Sequence, residues 1–172
     1  MLNRALRLAD RVSDAALAAA MALAAGLIGV MLVEVFARYG LGRPTVWSYD
    51  VTGMLNGCMF LFAAAPALRR GAHVTVDVMS SRLPPRLVCG VLALVLALLL
   101  LPVMLWVEAS VVMRAWRAFL TAEVGEVSPW RHVVWPYYGG IALALLTFLV
   151  QIAAEATRNA QEALAPDARP LG

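Results

Sequence analysis

Four long apolar runs set the pattern of this chain: residues 15–33, 51–68, 87–107 and 133–154 carry no charged side chain, and the charges gather between them. A helix needs roughly 20 mostly apolar residues to cross about 30 Å of hydrocarbon, so each run is long enough to span a bilayer. Backbone groups in lipid must pair within a helix or a closed barrel, and runs of this length exceed a barrel strand. The pattern predicts an all-α membrane protein with four transmembrane helices, over about residues 15–36, 50–69, 86–108 and 132–155. No other stretch is long enough for a separate globular core, so residues 1–172 are expected to form a single four-helix membrane domain. The first run reads as an uncleaved signal anchor. Arg4, Arg7 and Arg11 supply a charged flank, but the apolar run continues past the cleavage-like Ala22-Leu23-Ala24 to Val33.

Composition narrows the class. With 62% hydrophobic and 15% charged residues, an ordinary soluble domain is excluded. The chain is basic through arginine alone, since it contains no lysine. Those arginines sit beside spans, where topology and lipid head groups account for them, and no nucleic-acid partner is implied. Four spans put both termini and the middle loop on one side. That side holds Arg4, Arg7, Arg11, Arg69, Arg70, Arg82, Arg86, Arg158 and Arg169, nine against the five at Arg38, Arg43, Arg114, Arg117 and Arg131. The positive-inside rule then predicts cytoplasmic N and C termini. Every Trp and every Tyr falls in or beside the two loops of the opposite side. Head-group anchoring explains such a belt, and so does an aromatic surface offered to a partner protein.

The spans are poor in chemistry. A pump or channel usually needs an ionisable group inside the membrane, whereas the deepest polar side chains here are Asn56 and Thr147. Glu34 lies at the outer end of its span, one helical turn from Arg38, and is expected to form a local ion pair. Cys58 and Cys89 are isolated, without a CxxC motif, and read as packing thiols. His73 and Asp77 would share a face if their segment is helical, but no third ligand stands nearby. No catalytic, cofactor-binding or metal-binding residues are expected.

What remains are contact candidates. Pro44 suits a helix start, and Trp47 and Asp50 lie at the head of the second span. Gly53-x-x-x-Gly57 provides small residues one turn apart, which let another helix approach closely. That neighbour is either the Ala-rich first span or a separate membrane protein. Arg69 and Arg70 close the second span before Gly71. After the third span, residues 108–124 keep a helical pattern. Val111, Val112, Ala115, Trp116, Phe119 and Leu120 recur on one face, with Arg114, Arg117 and Thr121 toward another. Gly125 and Pro129 are expected to end this amphipathic extension, which would bend along the outer surface. Its role is lipid-surface contact or docking of a soluble partner through Arg114, Trp116, Arg117, Glu123, Glu126 and Arg131.

With these residues in view, the chain resembles the small membrane subunit of a tripartite ATP-independent periplasmic (TRAP) transporter, the DctQ-like family. The resemblance covers the four-span layout and is most specific from Trp47 to Arg86. There Trp47-Ser48-Tyr49-Asp50 precedes a span ending in Ala67-Leu68-Arg69-Arg70-Gly71-Ala72-His73-Val74-Thr75-Val76-Asp77, followed by Leu83-Pro84. Ser128-Pro129-Trp130 before the fourth span is also similar. One departure stands out. Where the family often carries paired acids after the tryptophan, this chain has Tyr49-Asp50, so a role requiring two carboxylates there does not carry over.

The resemblance implies a bacterial inner-membrane scaffold subunit that is not an enzyme and needs no cofactor. Its implied partners are a large TRAP membrane subunit, a periplasmic substrate-binding protein and membrane lipids. The implied activity of the complex is sodium-coupled uptake of an organic acid. Trp47, Asp50, Gly53, Gly57, Arg69, Arg70, His73 and Asp77 are the candidates for the subunit interface. The alternatives are the small subunit of another tripartite carboxylate transporter, an independent four-helix exporter, or a membrane enzyme. A thiol oxidase would need paired cysteines and a haem anchor would need histidines within spans.

Overall fold

Helix-forming apolar residues run almost without interruption through the computed structural model, which describes residues 2–70, 85–125 and 129–164. Four helices are long and apolar enough to cross a membrane: α1 (Leu2–Gly40), α2 (Ser48–Arg69), α3 (Arg86–Leu120) and α4 (Trp135–Leu164). The fold is all-α; among the described residues the β-structure is the isolated Val124–Val133 bridge. Two of the helices far exceed a bilayer. At 1.5 Å per residue, the 39 residues of α1 and 35 of α3 give about 58 Å and 52 Å, against a hydrocarbon thickness of about 30 Å.

Proline and glycine shape these rods. Within α3 the run Val95–Leu100 is π-helical and leads directly into Pro102. A proline ring collides with the carbonyl four residues earlier and offers no N–H to it, and widening the preceding turn relieves that clash. At the end of α1 a second π-helical turn, Phe36–Gly40, opens into a connection where Gly42 takes φ +63°. That left-handed conformation is readily available only to glycine. Pro44 lies in this connection rather than in α2, which begins at Ser48.

The helices alternate in direction, and α4 is the hub. It packs against α1, α2 and α3, α1 also lies along α2, and α3 makes no substantial contact with α1 or α2. Small side chains bring α1 close: Ala9, Ser13, Ala16 and Ala20 are its buried stripe, at spacings of four, three and four. Such a 3.5-residue period keeps a seam aligned with a neighbouring helix. Ala65 of α2 and Ala144 of α4 are fully enclosed. Between α3 and α4 the core is built from Leu96, Ile152 and Ala156, with Leu68, Leu100, Met104 and Phe148 packed around them.

Much of the apolar surface faces outward. Ile28, Leu32 and Phe36 of α1 and Leu98, Leu99 and Trp106 of α3 are each more than 60% exposed. In water this surface would drive aggregation; in a bilayer it faces acyl chains or neighbouring helices.

Helix α3 stops earlier than its sequence pattern predicts. The pattern continues to Val124, but the helix ends at Leu120 because Ala122 adopts φ +46°. Glu123 N–H donates to the Ala118 carbonyl at 3.1 Å and Ala122 N–H to that of Phe119 at 3.4 Å. These are the two bonds of a Schellman cap, here with alanine where glycine is usual.

Candidate functional site

At the end carrying the termini, three helices are tied by charge. The Asp10 carboxylate of α1 accepts from Arg158 of α4 at 2.6 Å and lies 3.3 Å from Nε of Arg69 on α2. Arg69 also donates to Asp14 at 2.7 Å and to the Asp10 carbonyl at 3.2 Å. Arg158 reaches Glu155 at 2.7 Å, and Glu155 accepts in turn from the amide of buried Gln151 at 2.8 Å. Asp10 and Asp14 stand one turn apart, so a single face of α1 presents both to its neighbours. The sequence reading missed these two acids. Their spacing, on a side otherwise rich in arginine, was the available signal. Arg69 is thus engaged within the chain, whereas Arg70 beside it is exposed. His73 and Asp77 lie outside the described residues.

At the opposite, aromatic end, Glu34 organises the α1–α2 connection. It accepts from Arg38, at 2.9 Å from Nε and 2.5 Å from Nη2, which is the ion pair expected from their spacing. It also accepts from the Thr45 backbone N–H at 3.0 Å and from the Thr45 hydroxyl. A carboxylate holding the connection at both its ends fixes where α2 begins. Trp47 is half-buried there, Ser48 is buried, and Asp50 occupies the first turn of α2.

The described flanks of the α3–α4 connection, on either side of residues 126–128, pair with each other in the manner of a small hairpin. Gly125 N–H donates to the His132 carbonyl at 2.8 Å, and Val134 N–H to that of Glu123 at 3.1 Å. A Cβ on Gly125 would stand 2.7 Å from the His132 ring, so this approach requires glycine. His132 in turn stacks on Trp130 at 4.8 Å. Arg114 anchors the hairpin from α3, donating to Glu123 at 2.6 Å with its guanidinium 5.3 Å from the Tyr138 ring centre. Trp116 stacks on Phe119, whose ring meets Trp135 edge-on. Of the docking candidates, Arg114 and Glu123 are therefore partnered with each other, while Arg117 and Arg131 are exposed. Glu126 lies outside the described residues.

Between this hairpin and the heads of α2 and α4 lies a cleft of about 470 Å³, lined by Tyr49, Asp50, Gly53, His132, Tyr137 and Tyr138 among others. The paired glycines of α2 part company here. A Cβ on Gly57 would come within 3.0 Å of the Tyr137 hydroxyl, whereas one on Gly53 would meet nothing within 4 Å. Gly57 serves the contact with α4, and Gly53 faces open space. The cysteines are free, and Cys58 packs against Gly140. Among the described residues no three His, Cys, Asp or Glu side chains converge as metal ligands would.

The interior carries no polar track from end to end. The buried polar side chains among the described residues are Ser13 and Gln151 toward the termini and Glu34 and Ser48 at the aromatic end. Between them the buried side chains are apolar, apart from one oxygen of Glu108 on α3 that is enclosed without a hydrogen-bond partner among the described residues. Such an interior gives an ion no route of ligands to follow.

The family described as "Tripartite ATP-independent periplasmic transporters, DctQ component" matches residues 27–162. The sialic acid TRAP transporter small permease protein SiaQ of Vibrio cholerae is 31% identical over 64 residues. That stretch covers 37% of this chain and 37% of SiaQ. No solved structure matches.

Proposed function

Because this chain belongs to the DctQ family, the small membrane component of tripartite ATP-independent periplasmic transporters, we propose that it braces a large membrane subunit during sodium-coupled uptake of an organic acid. Family membership makes it a multi-pass protein of the bacterial inner membrane and a transporter subunit, not an enzyme. The proposal concerns its share of the work. In this reading the large subunit holds the solute and the coupling ion, and a periplasmic binding protein delivers the solute. The end carrying the termini faces the cytoplasm, and the aromatic end faces the periplasm.

One observation carries the reading: the fully buried polar residues lie toward the two ends, and between them the interior is apolar except for one buried oxygen of Glu108, a single group rather than a track of ligands. A subunit without a track of ligands supports a neighbour better than it transports. The exposed Arg117 and Arg131 give the aromatic end positive charge beyond the hairpin. This supports a part in steering a binding protein with an acidic face onto the complex. The relative named for sialic acid matches over 37% of its length, so the solute is proposed only as an organic acid.

Reconstitution tests this division of labour. Liposomes containing this chain alone, with a sodium gradient and an external binding protein loaded with labelled carboxylate, are expected to show no uptake. Adding the large subunit restores it. Uptake by this chain alone refutes the proposal, as does full uptake by the large subunit without this chain.

A further inference from the structure

Thr147 and Asn56 are two polar side chains within the spans, and the structure treats them differently. Thr147 satisfies itself within α4 by donating its hydroxyl to the Ala144 carbonyl at 2.7 Å. Asn56 is exposed on α2, and among the described residues its amide has no hydrogen-bond partner. It stands eight residues past Ser48, the start of α2, or about 12 Å along the axis. Acyl chains offer an amide nothing to donate to or accept from, and a side chain this short does not reach head groups from such a depth. A helix face meeting only lipid is better served by an apolar residue at this place.

The surroundings of Asn56 have the shape of a seat for a helix. Tyr49, Gly53, Asn56 and Phe60 follow at spacings of four, three and four, and all are exposed. This is the period that stays in register with a second helix crossing at about 20°. Gly53, with open space where a Cβ would stand, lets a backbone come close beside the amide. Next to the stripe runs a groove of about 420 Å³, walled by Leu27, Ile28, Met31 and Leu32 of α1 and by Thr52 and Asn56 of α2. The apolar wall supplies area, the glycine supplies proximity, and the asparagine supplies a directional bond.

We propose that this groove seats one transmembrane helix of the large membrane subunit, which sets a small residue against Gly53 and a hydroxyl or carboxamide side chain against Asn56. The proposal rests on the bracing function inferred above and names the surface through which the brace is applied. Acyl chains leave the amide unsatisfied, which favours a helix carrying a polar side chain over lipid as the specific occupant.

The test uses both full-length membrane subunits, co-expressed and purified through a tag on this chain. Wild-type chain retains the large subunit; if it does not, the bracing function fails independently of the groove. Asn56→Leu, which removes the amide from a lipid-compatible helix, is expected to lower the retained fraction about threefold to tenfold. Asn56→Gln is expected to recover part of it. A benzophenone amino acid in place of exposed Phe60 is expected to cross-link to the large subunit, and one in place of Leu99 on α3 is not. Unchanged retention in Asn56→Leu overturns the proposal. So do cross-links from position 60 that reach only lipid or only a second copy of this chain.

Discussion

Replacing Asp10 by asparagine tests whether the charge network at the terminal end holds α1 onto the rest of the bundle. The change keeps the side-chain shape and one acceptor oxygen but removes the charge that Arg158 and Arg69 share. The three side chains are 27–33% exposed, between a surface pair contributing about 0.2–1 kcal/mol and a buried pair whose breakage costs about 3–5 kcal/mol. Neither guanidinium is orphaned, since Arg69 retains Asp14 and Arg158 retains Glu155, both at 2.7 Å. The loss is then the difference between charged and neutral acceptors in two contacts, about 1–2 kcal/mol in all. Net charge works the other way. Three carboxylates face two guanidiniums here, so the substitution balances the cluster, and a destabilisation must come from the bridge itself.

For a chain of 172 residues, each kcal/mol moves the unfolding midpoint by about 2–4 °C. Asp10→Asn is thus expected to lower Tm by about 2–8 °C, measured on the purified chain in detergent by circular dichroism. A double-mutant cycle with Arg158→Gln is expected to return a coupling of about 1 kcal/mol. Added salt should shrink the effect, because the groups are partly exposed. A midpoint within about 1 °C of wild type, together with a coupling near zero, refutes the reasoning and leaves packing alone to hold α1.

The two glycines of α2 should respond differently to size. Gly57→Leu forces the Tyr137 ring aside and is expected to destabilise the isolated chain by about 1–3 kcal/mol, whereas Gly53→Leu, which meets open space, should leave its Tm unchanged; equal effects on Tm would contradict the difference in what each glycine faces. Ala122→Gly relieves a left-handed alanine at the Schellman cap and is expected to stabilise by up to about 1 kcal/mol, and a lower Tm would show that the cap is not formed. Charge reversal at Arg117 and Arg131 together is expected to slow uptake at low salt without releasing the large subunit, read by transport and by co-purification. Normal uptake by that double variant removes these residues from any docking role. Arg114→Glu, by contrast, should disturb the hairpin through Glu123 and Tyr138 and be detectable in Tm without any binding protein present.

Helix number, helical character and membrane placement were legible in the linear order of residues. The physical reason is that hydrocarbon thickness acts on one segment at a time: an uncharged run of about 20 residues is a span whatever its neighbours do. The Glu34–Arg38 pair was legible too, because four residues along a helix is already a distance in space. Tertiary structure alone decided which surfaces face inward. Gly53 and Gly57 belong to one motif in the sequence, yet one meets Tyr137 and the other meets open space. Arg114 and Arg117 look equivalent along α3 and both are exposed, yet only Arg114 is tied to Glu123 among the described residues. Asp10 meets Arg69 and Arg158 from helices far along the chain. Small residues abound on every span, and interhelical contact depends on rotation about each axis, which a 3.6-residue period leaves open until helices pack. Length and polarity make a helix cross the membrane; packing determines what it then touches.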